Sequence, residues 1–307
     1  MDVLVVNAGS TSLKLHLVRG GDSEPVDELV PADAVGHRVV HGGTRFTAAT
    51  LVDDELERAL EELTPLAPLH NPPALEQIRR AREAFPDMPQ VAVFDTAFHR
   101  TMPAEASTYA VPERWREEWA VHRYGFHGIN VQWVASQVPA PRLVVCHLGG
   151  GCSITAVRDG RSVDTTMGFS PLEGVPMATR SGSVDPGALL YLLREGKLSR
   201  EELEQELERE SGLAALSGGG SGDVREASPL ALDVFVHRVT AAVAAMAAAC
   251  GGLDALAFTG GIGERAEDVR ERIVEGARFL GDFRVEVVPA REELVIAAET
   301  RRVLGAT

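Results

Sequence analysis

The stretch VLVVNAGSTSLKLHLV, residues Val3 to Val18, holds an apolar run, a corner of small hydrogen-bonding residues, and a return in which Leu13, Leu15 and Leu17 alternate with polar residues. That order predicts two antiparallel strands around a corner where glycine lets backbone N–H groups converge. The pattern comes back about 140 residues later in LVVCHLGGGCSITAVRDG, residues 143–160. Alignment sets Asn7 beside His147, Gly9 beside Gly149, and the turn Arg19-Gly20 beside Asp159-Gly160. Two related halves follow, each with a concave corner of N–H groups suited to an anion such as phosphate. A third corner, ALAFTGGIGERAEDVRERI (residues 255–273), runs from an apolar strand through Gly260, Gly261 and Gly263 into an amphipathic helix with Val269 and Ile273 on one face.

The bulk properties limit what such a chain does. Its 307 residues exceed the usual single core, so two domains are expected. A formal charge of −15 opposes binding to nucleic acid or anionic lipid, and an anionic ligand needs a local basic pocket. Cys146, Cys152 and Cys250 form no CxxC pair and are odd in number, which argues against a disulfide framework or zinc site and for a reducing cytosol. The chain opens without the basic start of a signal peptide, and the run Val239 to Leu253 reads as a buried helix stopped by Gly251 and Gly252 rather than a membrane span.

Several segments place polar groups where chemistry needs them. GHRVVHGGTRF (36–46) carries Arg38 on a strand, and in an acidic chain its planar fork suits a carboxylate or phosphate. QVAVFDTAF (90–98) is a buried strand ending in Asp95, with His99 just beyond. YGFHGIN embeds His127 and PLHNPPAL embeds His70, whose following prolines start a helix; lone histidines of this kind are more often core residues than catalysts. DTTMGFSPLEGVPMATRSGSVDPG (164–187) has the profile of a functional loop and delivers Arg180. SGGGSG (217–222) is a further loop beside a ligand, followed by Asp223 and Arg225. Glu292 and Glu293 stand where a C-terminal helix starts, a position that stabilises the helix by itself. Ser199 with Glu202 forms a capping box.

Taken together, VNAGSTSLK, HRVVHGG, APLHNPPAL, VFDTAFHRTMP, YGFHGIN, DTTMGFSPLEGVPMATRSG, FTGGIGE and EELVIAAET resemble, in order and over most of the chain, the acetate kinase family of the sugar kinase, Hsp70 and actin superfamily. The resemblance implies an α/β fold of duplicated actin-like, ribonuclease H-like domains with mixed sheets flanked by helices and a cleft between them. Residues 1–96 with 291–307 would form the first domain, and 97–290 the second, with the nucleotide loops and the dimer interface. It implies reversible in-line transfer of the γ-phosphoryl group of ATP to acetate, giving acetyl phosphate and ADP, in a cytoplasmic homodimer using magnesium, or manganese in its place.

By the same resemblance Arg38 and Arg180 flank the carboxylate and the transferring phosphoryl, His127 stabilises the charge on its oxygens, Asp95 orients an arginine or the metal, and Val40, Leu69, Phe126 and Pro171 line the pocket for the acid's alkyl group. Lys14, the corner His147, Leu148, Gly149, Gly150 and Gly151, the turn Asp223, Val224 and Arg225, and the corner Gly261, Ile262, Gly263, Glu264 and Arg265 hold nucleotide, while Asn7 and Glu292 are metal-linked. Val40 in place of alanine favours a methyl-sized pocket. The chain departs from the family in two abbreviated regions, in Gly150 where an Asn is usual, and in Arg265 where the family carries Asn; these bear on nucleotide preference and turnover more than on reaction class. Alternatives are a propionate or other short-chain carboxylate kinase, another phosphoryl donor, or a non-catalytic nucleotide-gated binding protein.

Overall fold

The structure, a computed structural model, describes residues 1–9, 13–68 and 70–306. They form two compact units: Met1–Thr101 with Val111–Trp133 and Ala290–Thr307, and Met102–Ala110 with Val134–Pro289. The stretch 111–133, expected in the second domain, lies in the first, because the Gly128 N–H donates to the Asp95 carbonyl (3.0 Å) and the Phe126 carbonyl accepts from His99 (2.9 Å).

The first unit's sheet contains β1 (Val3–Ala8), β2 (Leu13–Arg19), β3 (Asp22–Val26), β4 (Ala34–Val39), β5 (Thr50–Leu51) and β6 (Gln90–Phe94), in the order β3-β2-β1-β4-β6-β5. The second contains β7 (Arg142–Leu148), β8 (Cys152–Arg158), β9 (Arg161–Thr165), β10 (Ala255–Thr259) and β11 (Arg284–Val287), in the order β11-β10-β7-β8-β9. In both, an antiparallel meander continues into strands parallel to the first one. Asn7 and His147 each occupy the last place but one of the equivalent strands β1 and β7, as the internal alignment expected. The repeat is thus structural as well as sequential, and the duplicated α/β fold stands.

β1 explains why the first sheet is covered on both faces. Its alternate residues Val3 and Val5 pack with Ile296 and Ala297 of the helix Glu292–Val303, while Leu4 and Val6 pack with Ala81 of the helix Asn71–Ala84. A strand buried on both sides reads as a continuous apolar run, which is the VLVV of the sequence. Gly36 on β4 lets the C-terminal helix approach: a Cβ there would stand 2.5 Å from Thr300 Oγ1. That approach fixes the position of Glu292.

In the second unit the helix Pro229–Cys250 is long and apolar enough, by length and composition, to cross a membrane. Its Phe235, Val239, Val243 and Met246 are instead buried in contact with the second sheet, and its outer face carries Asp233, His237 and Arg238. The expected stop is present, with Gly251 left-handed at φ 76°. The capping box of Ser199 and Glu202 is also formed. All three cysteines are free and buried.

Two histidines of the first unit are held neutral. His37 on β4 donates through Nε2 to Gln90 on β6 (2.8 Å) and His99 to the Phe126 carbonyl (2.9 Å); burial takes both down to about 4 despite these bonds. The unfolded chain therefore binds more protons than the folded one between the ordinary value of 6.5 and about 4. Stability is complete above that window and falls through it, by on the order of 3 kcal/mol per histidine. Urea midpoints should decline as pH drops from neutral to about 4, with a shallower slope in His37→Gln; an unchanged slope would remove His37 from this account.

Candidate active site

In the first unit, three strands and a helix start bring four polar side chains to one place. Arg38 near the end of β4 donates to Asp95 Oδ2 from Nε (3.0 Å) and Nη2 (2.6 Å), and from Nη1 to Asn7 Oδ1 (3.2 Å). Asn7 in turn donates from Nδ2 to Glu292 Oε2 (2.8 Å), which stands 4.0 Å from Arg38 Nε. Lys14 is directly opposite Asn7 in the β1–β2 register, so the two leave the same face of the sheet.

The electrostatics of this group are unbalanced. Burial works against the Arg38 charge, but Asp95 and Glu292 outweigh it and hold the guanidinium above its ordinary value. Burial also raises the Asp95 carboxyl above the usual carboxylate range, against the pull of Arg38, and Glu292 adds to the rise. One guanidinium facing two carboxylates leaves an excess of negative charge. Asp95 Oδ1 is buried and has no hydrogen-bond partner among the described residues.

The YGFHGIN segment is clamped onto the same strand end. A Cβ at Gly128 would stand 2.1 Å from the Asp95 carbonyl, so only glycine permits this approach. His127, immediately before it, is left-handed at φ 58°, a conformation that costs a non-glycine residue free energy and is held here by the clamp. Phe126 is fully buried, with Val40 at 3% exposure. His41 packs edge-on against Tyr124 and Phe126, and Asn71 brackets its backbone, accepting from the His41 N–H (3.2 Å) and donating to its carbonyl (3.1 Å). Leu69 lies outside the described residues.

In the second unit the glycine corners meet. Gly149, with its N–H on the Gly151 carbonyl (3.1 Å), lies across from Gly261, whose nitrogen would be 3.6 Å from a Cβ on Gly149. Gly260 is left-handed at φ 80°, and a Cβ there would stand 2.7 Å from the Leu148 carbonyl. These corners open onto a cavity of about 530 Å³, within the usual range for small-ligand sites. Gly149, Gly150, Gly261, Ile262 and Arg265 line it, as does the turn Asp223, Val224 and Arg225. Arg225 is bonded to Asp223 from Nε (2.9 Å), and together with the turn's own N–H it holds that carboxyl down to about 2.

Arg180 is delivered by the 164–187 loop, which Met167, Val175 and Met177 anchor by burial. Its Nη1 donates to the Pro171 carbonyl (3.0 Å) and contacts Met177 Sδ (3.5 Å), and no carboxylate of the described residues lies within ion-pair distance of it. Burial pulls the guanidinium below its ordinary value, with Glu208 restoring only part. A half-buried, under-compensated cation is a site for an anion.

Most of the sequence-expected residues fall into three sets, one of them the cavity lining already given. Asn7, Arg38, Asp95 and Glu292 are brought into one hydrogen-bonded set, and Arg180 with Pro171 into another contact. Of the expected nucleotide residues, Leu148 and Gly263 are buried in packing, and His147, Gly151 and Glu264 do not line the cavity. Sequence reading missed Asn71, Ala178 and Asp268, while the loop it set beside a ligand supplies Ser221 and Gly222 to the cavity. Gly222 carried the signal for Ala178: it is left-handed at φ 71°, and a Cβ there would stand 2.3 Å from the Ala178 carbonyl.

Comparison with known proteins bears on the whole arrangement. Residues 22–302 match the model of the Acetokinase family. The chain is 46% identical to an acetate kinase of Deinococcus deserti over 89% of its length and 78% of that protein's. It is 43% identical to one of Microcystis aeruginosa over 92% and 75%. Among solved structures, a propionate kinase of Francisella tularensis superposes with TM-score 0.90 at 33% identity, covering 98% of this chain and 99% of that one. The acetate kinase of Porphyromonas gingivalis gives 0.85 at 31%, covering 99% of each. With the duplicated fold, the paired Arg38 and the glycine-lined cavity all in place, the chain belongs to the acetokinase family.

Proposed function

We propose that the protein transfers the γ-phosphoryl group of ATP to acetate, reversibly, giving acetyl phosphate and ADP. The observation that carries this is Arg180, a half-buried guanidinium without a carboxylate partner, in the unit that also holds the glycine-lined cavity. An acetate oxygen attacks the γ-phosphorus in line as the bond to the β-phosphate oxygen breaks, and ADP leaves. Such a step needs positioning and charge neutralisation more than covalent chemistry. Arg38, fixed by Asp95 and Asn7, holds the acid; Arg180 and His127 face charge on the transferred group; the glycine corners receive the nucleotide phosphates.

A divalent metal belongs to the family's reaction, and magnesium is the ion we assign. Among the described residues no group of three or more His, Cys, Asp or Glu could hold a metal alone. Magnesium takes one or two carboxylates and completes its shell with phosphates and water, and the excess negative charge at Glu292 and Asp95 beside Asn7 fits that pattern. When bound, the ion would supply charge neutralisation on the phosphates.

Val40 and Phe126, both buried, line the alkyl side of the acid, and a valine at that place leaves room for a methyl. One methylene is worth about 10-fold to 200-fold in a hydrophobic pocket, so the preference for acetate over propionate is graded. Hydroxylamine trapping of acyl phosphate, with ATP and magnesium, should give most product with acetate, less with propionate and least with butyrate. No product from any acid, despite nucleotide binding, would overturn the assignment in favour of a nucleotide-gated binding protein; propionate ahead of acetate would move it to a propionate kinase.

The homodimer and the cytoplasmic setting belong to the same reading. The helix Pro186–Arg194 has no buried residue, yet Leu190, Tyr191 and Leu193 stand exposed on it, with Val184 before it. An apolar helix left uncovered is suited to a second copy of the chain, and a monomer mass at micromolar concentration would remove that part. Free buried thiols suit a reducing compartment.

A further inference from the structure

The loop that delivers Arg180 is pinned well away from its guanidinium in sequence. Tyr109, in the short segment Met102–Ala110 of the second unit, sets its hydroxyl between two groups of that loop. The hydroxyl donates to Glu173 Oε2 and accepts from the Phe169 N–H (3.0 Å). A phenol carries one proton and lone pairs to accept with, so both roles are filled at once. Gly168 is buried directly against this pair, and a Cβ there would run into Glu173 Oε2 and the Tyr109 hydroxyl. Its backbone is not left-handed, so room for these two side chains, rather than conformational freedom, is what demands glycine.

This clasp closes the turn 168–173 around Pro171, whose carbonyl accepts from Arg180 Nη1 (3.0 Å). The residues that follow fasten the arginine's backbone. Gly174 donates to Ser183 Oγ (3.1 Å) and accepts from the Ser183 N–H (2.8 Å), and the Met177 N–H donates to the Arg180 carbonyl (3.1 Å). The backbone bonds fix where the side chain starts, and the Pro171 carbonyl fixes where its planar fork points. A misplacement of about 1 Å in a group that meets the reacting atoms costs about 10²-fold in rate. We propose that Tyr109 and Glu173 are positioning residues for phosphoryl transfer: their bond, tied to the Phe169 N–H, holds the Pro171 carbonyl and through it aims Arg180 at the transferred group. The catalytic part rests on the kinase reading; the hold on Arg180 does not.

Tyr109→Phe and Gly168→Ala test this, the first by removing the hydroxyl and the second by forcing the pair apart. Each should lower kcat for acyl phosphate by about 10-fold to 100-fold. ADP affinity by calorimetry should stay at the parental value, because Tyr109, Gly168 and Glu173 do not line the nucleotide cavity. In an Arg180→Ala background, Tyr109→Phe should have almost no further effect on kcat, since no guanidinium is left to aim. Parental kcat in Tyr109→Phe, the same fractional loss with and without Arg180, or a loss of ADP affinity matching the loss of kcat would overturn the proposal. Phenylglyoxal labelling, read at Arg180 by peptide mass mapping, is independent of the reaction. Arg180 should be modified several-fold faster in both variants than in the parent, and equal rates would sink the clasp. A parent that makes no acyl phosphate from any acid would remove the kinase reading, while the labelling rates would still decide whether the clasp holds Arg180.

Discussion

Replacing Arg38 by alanine should lower acyl-phosphate formation by about 10³-fold and also destabilise the protein. The second effect comes from what is left behind. Asp95 is fully buried and receives both of its Oδ2 hydrogen bonds from Arg38, so truncation strands a carboxylate whose other oxygen already lacks a good partner. Breaking a buried pair from one side costs about 3–5 kcal/mol, more than removing both members. The double variant Arg38→Met with Asp95→Asn should therefore recover most of the urea stability while remaining inactive. An Arg38→Ala variant as stable as the parent would mean that the pair is not held as described, and activity in the double variant would remove Arg38 from the acid site.

Arg180→Ala should also lose about 10²-fold to 10³-fold in kcat, with the opposite signature in stability. Its guanidinium is bonded to a carbonyl and a thioether and is pulled below its ordinary value by burial, with Glu208 restoring only part, so its removal strands no ion-paired carboxylate. Urea midpoints should stay level or rise slightly. Nucleotide affinity should hold as well, because the cavity is lined by Ala178 from this loop and not by Arg180. A fall in nucleotide binding equal to the fall in kcat would place Arg180 on the bound nucleotide rather than on the transferring group. Arg180→Lys would not restore the rate, since a point charge does not reproduce the planar fork.

The contrast between these two arginines shows where sequence reading stops. HRVVHGG and ATRSG each announce an arginine beside glycine, and nothing local separates them. Arg38 is paired because β4 and β6 lie parallel in register, Arg38 opposite Val93 and Val39 opposite Phe94, which sets Asp95 just past the strand end beside it. Its partner Asn7 and the more distant Glu292 are separated by 285 residues and meet only because Gly36 admits the C-terminal helix.

What the sequence determined by itself was whatever depends on short-range pattern: the duplicated strand, corner and strand units, the buried strand β6 leading into Asp95, the capping box at Ser199, and the glycine stop at Gly251. Each follows from the period of apolar residues or from backbone freedom within a few positions. Tertiary structure alone decided which charges are neutralised, why residues 111–133 pack with the first unit, and which glycine-corner residues line the cavity. Those outcomes turn on how closely separate elements approach, and on the burial that approach imposes, which no local period encodes.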